Sequence, residues 1–454
     1  MSEALYMVEK HFIGPTHAAW GECDTLCFHA KNLYNQGLYR VRQHFFATNK
    51  YLNYSTLQKQ LQSEGAECYR SMKSKVAQLV LQQVDHDFKA FFAANRAWKA
   101  HPEKFLGKPK IPHYKEKKGR SAAHFNVQAC NKKRYGKQVL QLSGLLMQLP
   151  LQHQIVGLRK ERVDKATGEV NPYKSLSLKE VTVTPRNDGY LVVVKHEVPA
   201  VAQAAENGLC AGIDMGVNNL MAVVSTVKGQ RPLLVSGKPL KSVNRYYNKK
   251  LAEYRSALDT CTTRSGKKKL NQKLQKLTRV RGHKVDDYLH KASRIVVNRL
   301  ALTGVTHLIV GKNDGWKQEA DMSKVANQNF VQIPHAKLVG MLRYKWGYTG
   351  GLFSETEESY TSKCSFLDNE EMAHAAKHAG KRVHRGLFKT FDGYLLNADV
   401  NGAANMIRKV VREAWDPWSP EERIEGLVVG PVDVAVPQYL GGLLQTHKML
   451  ALVA

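Results

Sequence analysis

Two aspartates stand in settings suited to metal chemistry. Asp214 ends an apolar run, Leu209 to Ile213, and a second β-prone run, Leu220 to Ser225, follows across Gly216 and the pair Asn218-Asn219. These turn formers make GIDMGVNNL (212–220) read as a β-hairpin with a carboxylate at the end of its buried first strand. A carboxylate there is costly unless paired. A divalent cation is one such partner, and capping of backbone amides in the turn is the plainer reading. Asp399 lies in a second motif, NADVNGAANMI (397–407), at the start of a small-residue helix whose Ala403, Ala404 and Ile407 form an apolar face suited to close packing. Several carboxylates converging on two Mg²⁺ ions about 4 Å apart would hydrolyse a phosphodiester, one ion activating water and the other stabilising the leaving 3′ oxygen.

Together, GIDMGVNNL and NADVNGAANM resemble the first and third motifs of the RuvC-type nuclease domain of TnpB proteins. These are RNA-guided nucleases encoded by insertion-sequence transposons and are relatives of the type V CRISPR effectors. YTSKCS (360–365) and RGHKVDDYLHKAS (281–293) also resemble that family, in the same order, so the resemblance spans roughly residues 207–410. It implies a glutamate at the end of the fourth strand. Here that strand runs LIVGKNDGW (308–316), with Gly311 or Lys312 in its place. Glu358, in TEESYTSKCS (356–365), lies just past the fifth strand, and neighbouring strands run about 4.8 Å apart. Some TnpB-like and related eukaryotic nucleases resemble such an arrangement, with the glutamate relocated to this position. The expected catalytic metal ligands are therefore Asp214, Glu358 and Asp399. Side-chain alternation sends Glu357 the other way. Asp314 and Glu319 are weaker candidates, and the plain reading of Glu355, Glu357 and Glu358 is a set of surface acids. Many family members also carry two C-x-x-C pairs before the last aspartate motif. Only Cys364 remains here, with His374, His378 and His384 nearby, so no four-ligand structural zinc is expected.

The elements that must position these acids belong to a chain of 454 residues, 43% hydrophobic, enough for about three domains. Lys and Arg number 68 against 39 Asp and Glu, a net charge of +29 that predicts a polyanionic partner, nucleic acid by default. No apolar run reaches the roughly 20 residues of a membrane span. The N-terminus carries early acids and lacks a signal-peptide core, which reads as cytoplasmic. Seven scattered cysteines fit reduced thiols better than a disulfide framework.

The expected fold is a multidomain α+β chain. The resemblance implies a β-barrel wedge domain (1–14 and 111–201) with a helical recognition domain (15–110) inserted, then an RNase H-like (RuvC) α/β nuclease domain (207–410). A tail of open status follows (411–454). GKPKIPHYKEKKGR (107–120) is basic, Pro-broken and carries one aromatic, which suits a nucleic-acid backbone with base stacking. Its candidates are Lys108, Lys110, Tyr114, Lys115, Lys117, Lys118 and Arg120. A long basic helical stretch, 240–300, adds Lys267, Lys268, Lys269, Arg279 and Arg281. In both, the competing reading is a solvated surface. The resemblance further implies a guide RNA from the transposon end, double-stranded target DNA, recognition of a short flanking motif and Mg²⁺-dependent cutting. A nuclease-dead RNA-guided repressor and a type V CRISPR effector are the alternatives, and monomer and dimer are equally open.

Overall fold

The computed structural model describes residues 5–130, 139–151, 177–198, 201–312, 332–373, 378–384, 386–428 and 430–436. Asp314, Glu319 and His374 lie outside them. The chain divides into two compact units, Met1–Ala200 and Val201–Ala454.

The first unit runs β1 (Leu5–Ile13), α1 (Trp20–Thr48), α2 (Tyr54–Ser63), α3 (Glu67–Arg70), α4 (Ser74–Ala100), β2 (Ala123–Asn126), β3 (Val139–Gln141), β4 (Gln148–Pro150), β5 (Ser177–Arg186) and β6 (Gly189–Val198). In α1 the buried positions include Leu26, Ala30, Leu33, Tyr34, Leu38 and Val41, the three-to-four spacing of one helical face. The helix stops at Asn49, whose φ of 58° gives a left-handed cap. The helices fall between β1 and β2 in sequence. The strands form an antiparallel sheet in the order β1-β6-β5-β2, with β3 and β4 paired separately. Among the described residues this sheet does not close into a barrel. Asn187-Asp188 joins β5 to β6, as the turn residues predict, with Arg186 opposite Gly189. β5 is one continuous strand, and its register shifts between Leu178 and Glu180. Leu33, Leu81 and Phe88 share a core with Phe125, Val181 and Val192.

The second unit runs β7 (Cys210–Asp214), β8 (Asn219–Ser225), β9 (Leu233–Ser236), α5 (Lys238–Thr260), α6 (Arg264–Leu302), β10 (His307–Gly311), α7 (His335–Gly347), β11 (Leu352–Thr356), β12 (Lys381–His384), β13 (Leu387–Lys389), β14 (Leu395–Asn397), α8 (Ala398–Val410), α9 (Pro420–Val428) and β15 (Val432–Val434). Six strands form one sheet in the order β11-β10-β7-β8-β9-β15. β7, β8 and β9 are antiparallel neighbours, whereas β10 runs parallel to β7 and β11 parallel to β10. The strands read as continuous apolar runs because helices cover both faces. Ile213, Leu308 and Val310 pack with Leu289, Val296, Leu342 and Trp346 of α6 and α7. Ala222, Val224 and Ile309 pack on the other face with Ala403, Ala404 and Ile407 of α8. Parallel pairing brings the ends of β7, β10 and β11 to one edge of the sheet.

Two details go beyond the sequence reading. The stretch 240–300 is two helices, parted at Cys261–Thr263, where the Thr263 hydroxyl caps Gly266 N–H. The segment after 411 is docked as far as it is described. Trp415 and Trp418 are buried, the Trp418 indole donates to Thr226 O at 3.0 Å, and β15 extends the sheet beside β9. Among the described residues no helix is long and apolar enough to cross a membrane, and the seven cysteines are all thiols outside any disulfide.

Candidate metal centre and basic surfaces

Asp214 is the last residue of β7. Val310 pairs with Ile213, which sets Gly311 level with Asp214 on the neighbouring strand. Gly311 in turn pairs with Thr356 of β11, two residues before Glu358. The Glu358 side chain folds back over β10: a Cβ added at Gly311 would lie 2.5 Å from Glu358 Oε1 and 2.8 Å from its Cγ. The glycine at the end of the fourth strand is thus the space that Glu358 fills. Asp399 arrives from another direction, in the first turn of α8, where Asn397 caps the Asp399 and Val400 amides. α8 approaches the sheet closely because Gly402 faces Asp214, and a Cβ there would sit 2.8 Å from Asp214 Oδ2.

The electrostatics follow from this crowding. Burial, then the neighbouring Asp399 and Glu358 carboxylates, hold the Asp214 carboxyl well above the usual range, and Arg382 opposes them. Burial pushes Glu358 up to about 7. The Asp399 and Glu358 carboxylates repel a charged Asp214, and a hard divalent cation among the three would relieve that repulsion. Asp214, Glu358 and Asp399 could hold such ions.

Two further residues reach the cluster. Asn219, at the start of β8, donates from Nδ2 to Asp399 Oδ2 at 2.8 Å. Arg382 of β12 lies 3.6 Å from Asp399 Oδ1. Asn219 was visible within the hairpin motif, but nothing in a sequence marks which turn asparagine will meet a helix 180 residues on. Arg382 carries no local signal beyond its charge. Of the other acids, Glu355 pairs with Lys312 and Arg343, and the exposed Glu357 accepts from Ser359 Oγ. The plain reading holds for those two.

A second group of donors forms beside α8. Cys364, Glu370 and His378 bring one ligating atom each to within 4.8 Å of the others, with His378 Nδ1 2.6 Å from Glu370 Oε1 and 3.8 Å from Cys364 Sγ. The count of C-x-x-C pairs gave no sign of this grouping. Glu370 also accepts from Ser365 N–H at 2.7 Å, so hydrogen bonding alone accounts for its position.

The basic candidates divide into exposed and committed. In the first unit Lys108, Lys110, Tyr114, Lys115, Lys117 and Lys118 are exposed. Their segment is laid along α1 by backbone contacts, Asn35 exchanging two hydrogen bonds with Lys115 and Lys31 donating to Lys117 O. Arg42 stacks over Tyr114 at 4.9 Å. Arg120 is committed to Asp24 through two hydrogen bonds of 2.9 and 2.7 Å. In the second unit Lys267, Lys268 and Lys269 are exposed and Arg279 is half-buried. Arg281 is tied to Asn244 Oδ1 and Gln332 O. Both Arg120 and Arg281 are thus used to hold the fold.

The second unit is thus an α/β domain that gathers carboxylates at the common end of β7, β10 and β11, with an acid-bearing helix packed across them. Comparison with known proteins gives two family models, a curated relative and solved structures to which the chain is similar. The profile OrfB_IS605, described as "Probable transposase", matches residues 191–317, and the Cas12f1-like TNB domain profile matches 335–406. A TnpB-like protein, ORF457 of Acidianus two-tailed virus, is 27% identical over 228 residues, 48% of this chain and 46% of that protein. The chain thus spans about half the length of that curated relative. A cryo-EM structure of a Cas12f1-sgRNA-target DNA complex shares the fold, with a TM-score of 0.51 at 15% identity over 85% of this chain and 82% of that one. Over these stretches the chain is similar to TnpB-like and Cas12f1-like proteins.

Proposed function

We propose that this protein is an RNA-guided DNA endonuclease that cuts at a RuvC-like site formed by Asp214, Glu358 and Asp399. The observation that carries this reading is Glu358 lying over Gly311, beside Asp214, at the strand end where the family's usual glutamate would stand. The strand order, with three antiparallel strands followed by two parallel ones, is that of an RNase H-like nuclease and supports it. Two Mg²⁺ ions held by the three acids would supply an activated water and compensate charge at the leaving 3′ oxygen. The chain's own part is to present ionised carboxylates at fixed positions. Asn219 orients Asp399, and the Arg382 guanidinium, exposed beside the cluster, is placed to meet a scissile phosphate.

Guide RNA and target DNA are the proposed partners, by analogy with the Cas12f1-sgRNA-target DNA complex that shares the fold. The exposed lysines at 108–118 and 267–269, with Tyr114, would contact their backbones, and Arg120 and Arg281 would act from behind as braces. In this reading residues 15–110 form the recognition domain, 1–14 with 111–201 form the wedge, and together they read a short flanking duplex motif.

The test is purification of the protein with its bound RNA, sequencing of that RNA, and incubation with a matching plasmid. Cutting that requires Mg²⁺, stops with EDTA and is lost in Asp214→Ala supports the proposal. A parent complex that binds its target and never cuts would turn the reading to a repressor.

A further inference from the structure

The loop that delivers Glu358 is held by one face of the helix that delivers Asp399. Asn405 of α8, fully buried, donates from Nδ2 to Thr361 O at 2.9 Å and to Cys364 O at 2.8 Å. Thr361 closes the link: its amide and hydroxyl donate to Glu358 O at 3.1 and 2.8 Å. On the other side of Glu358, Lys409 Nζ donates to Glu357 O at 2.9 Å and reaches Ser359 O at 3.4 Å. Asn401 pairs with Cys364 O and Phe366 N–H, and Arg408 reaches Asn369 Oδ1 and Glu370 O. Residues 401, 405, 408 and 409 lie on one helical face. Apolar packing could hold this loop, yet the sequence places polar side chains there and leaves the buried Asn405 Oδ1 without a hydrogen-bond partner among the described residues. A buried orphan acceptor is costly to the fold. A polar ladder fixes a backbone path in a way that apolar contacts do not.

We propose that Asn405 and Lys409 are positioning residues that lock Glu358 in register with Asp399, so that one helix places two of the three acids. The strand end at Gly311 would have fixed a glutamate rigidly by sheet pairing. A loop glutamate lacks that support, and the α8 ladder supplies it. The inference rests on the metal-site reading above.

The test joins hydrogen exchange over residues 357–366 with Mn²⁺ titration of the RNA-bound protein, for the parent, Asp214→Ala, Asn405→Ala, Lys409→Met and Lys409→Arg. Lys409 is exposed, so Lys409→Met keeps the fold even where Asn405→Ala does not. We expect Lys409→Met to exchange faster across 357–366 and to bind Mn²⁺ about tenfold more weakly, about 1.4 kcal/mol, with Lys409→Arg close to the parent. Unchanged exchange, or faster exchange with parental Mn²⁺ affinity, overturns the proposal. Parental Mn²⁺ binding that survives Asp214→Ala would instead show that the metal-site reading itself has failed, and this inference with it.

Discussion

Burial works against ionisation at Glu358, and that fixes two expectations for the single residue. Its carboxyl holds a proton up to about 7 in the fold, against a usual 4.5. A proton and a metal compete for the same oxygens, so cleavage at fixed, subsaturating Mg²⁺ should rise from roughly pH 6 to 8 and flatten above. A rate flat across that range would speak against Glu358 as a ligand. For the metal-free protein the sign is opposite. The folded state binds the proton more tightly than the unfolded chain, so stability is lost as pH rises between 4.5 and about 7. Glu358→Gln should therefore melt higher than the parent at pH 8 without metal, by at most about 3 kcal/mol of stability. Calorimetry of the two proteins in EDTA checks this. Asp214 and Asp399 were legible because each sits in a motif with its own local logic, a strand end and a helix start. Glu358 was legible only through the gap at Gly311. Arg382 was invisible, because its place depends on how β12 lies against the cluster.

Among elements, the packing of Gly311 against Glu358 makes the most specific demand. Gly311→Ala puts a methyl into the Glu358 side chain and Met406 Cε, and the carboxylate must move. A displacement of about 1 Å at a reacting group can reduce the rate on the order of 100-fold. Gly311→Glu combined with Glu358→Ala should recover part of the activity that Glu358→Ala loses, because the strand end then supplies the acid. Single-turnover cleavage by the four proteins checks both effects, and a double variant as inert as Glu358→Ala would show that the two positions do not share one pocket. The strands and helices of the second unit were largely readable, since apolar runs and turn residues punctuate it clearly. The break at 261–263 was not, because a single capping threonine in a basic stretch looks like any other polar position. The docking of the segment after 411 was left open for a different reason. Its two tryptophans find their partners on α8 and at Thr226 only once the sheet has formed.

At the scale of the molecule, charge decides what the chain meets. Between residues 247 and 284 there are twelve Lys and Arg against two acids. The paired helices there bury almost nothing, since α5 buries only Leu240 and Asn244 near its start and the buried residues of α6 begin at Val285. About 30 Å of α6 therefore stands clear of the core. Replacing Lys267, Lys268 and Lys269 by alanine should reduce the salt dependence of duplex binding by up to about three phosphate contacts, a slope change of roughly 2.7 log units. Filter binding across a salt series measures it, and an unchanged slope would make this a merely solvated surface. The net charge of +29 predicts a polyanionic partner from the sequence alone, but only the folded chain separates exposed lysines from arginines used as braces.

The central claim is that Glu358 completes a cutting site with Asp214 and Asp399. Plasmid cleavage in Mg²⁺ by the protein purified with its own RNA, comparing the parent with Glu358→Ala, tests it most directly. The account predicts that the parent cuts and that Glu358→Ala binds the same target without cutting it. Cleavage by Glu358→Ala at the parental rate would contradict it.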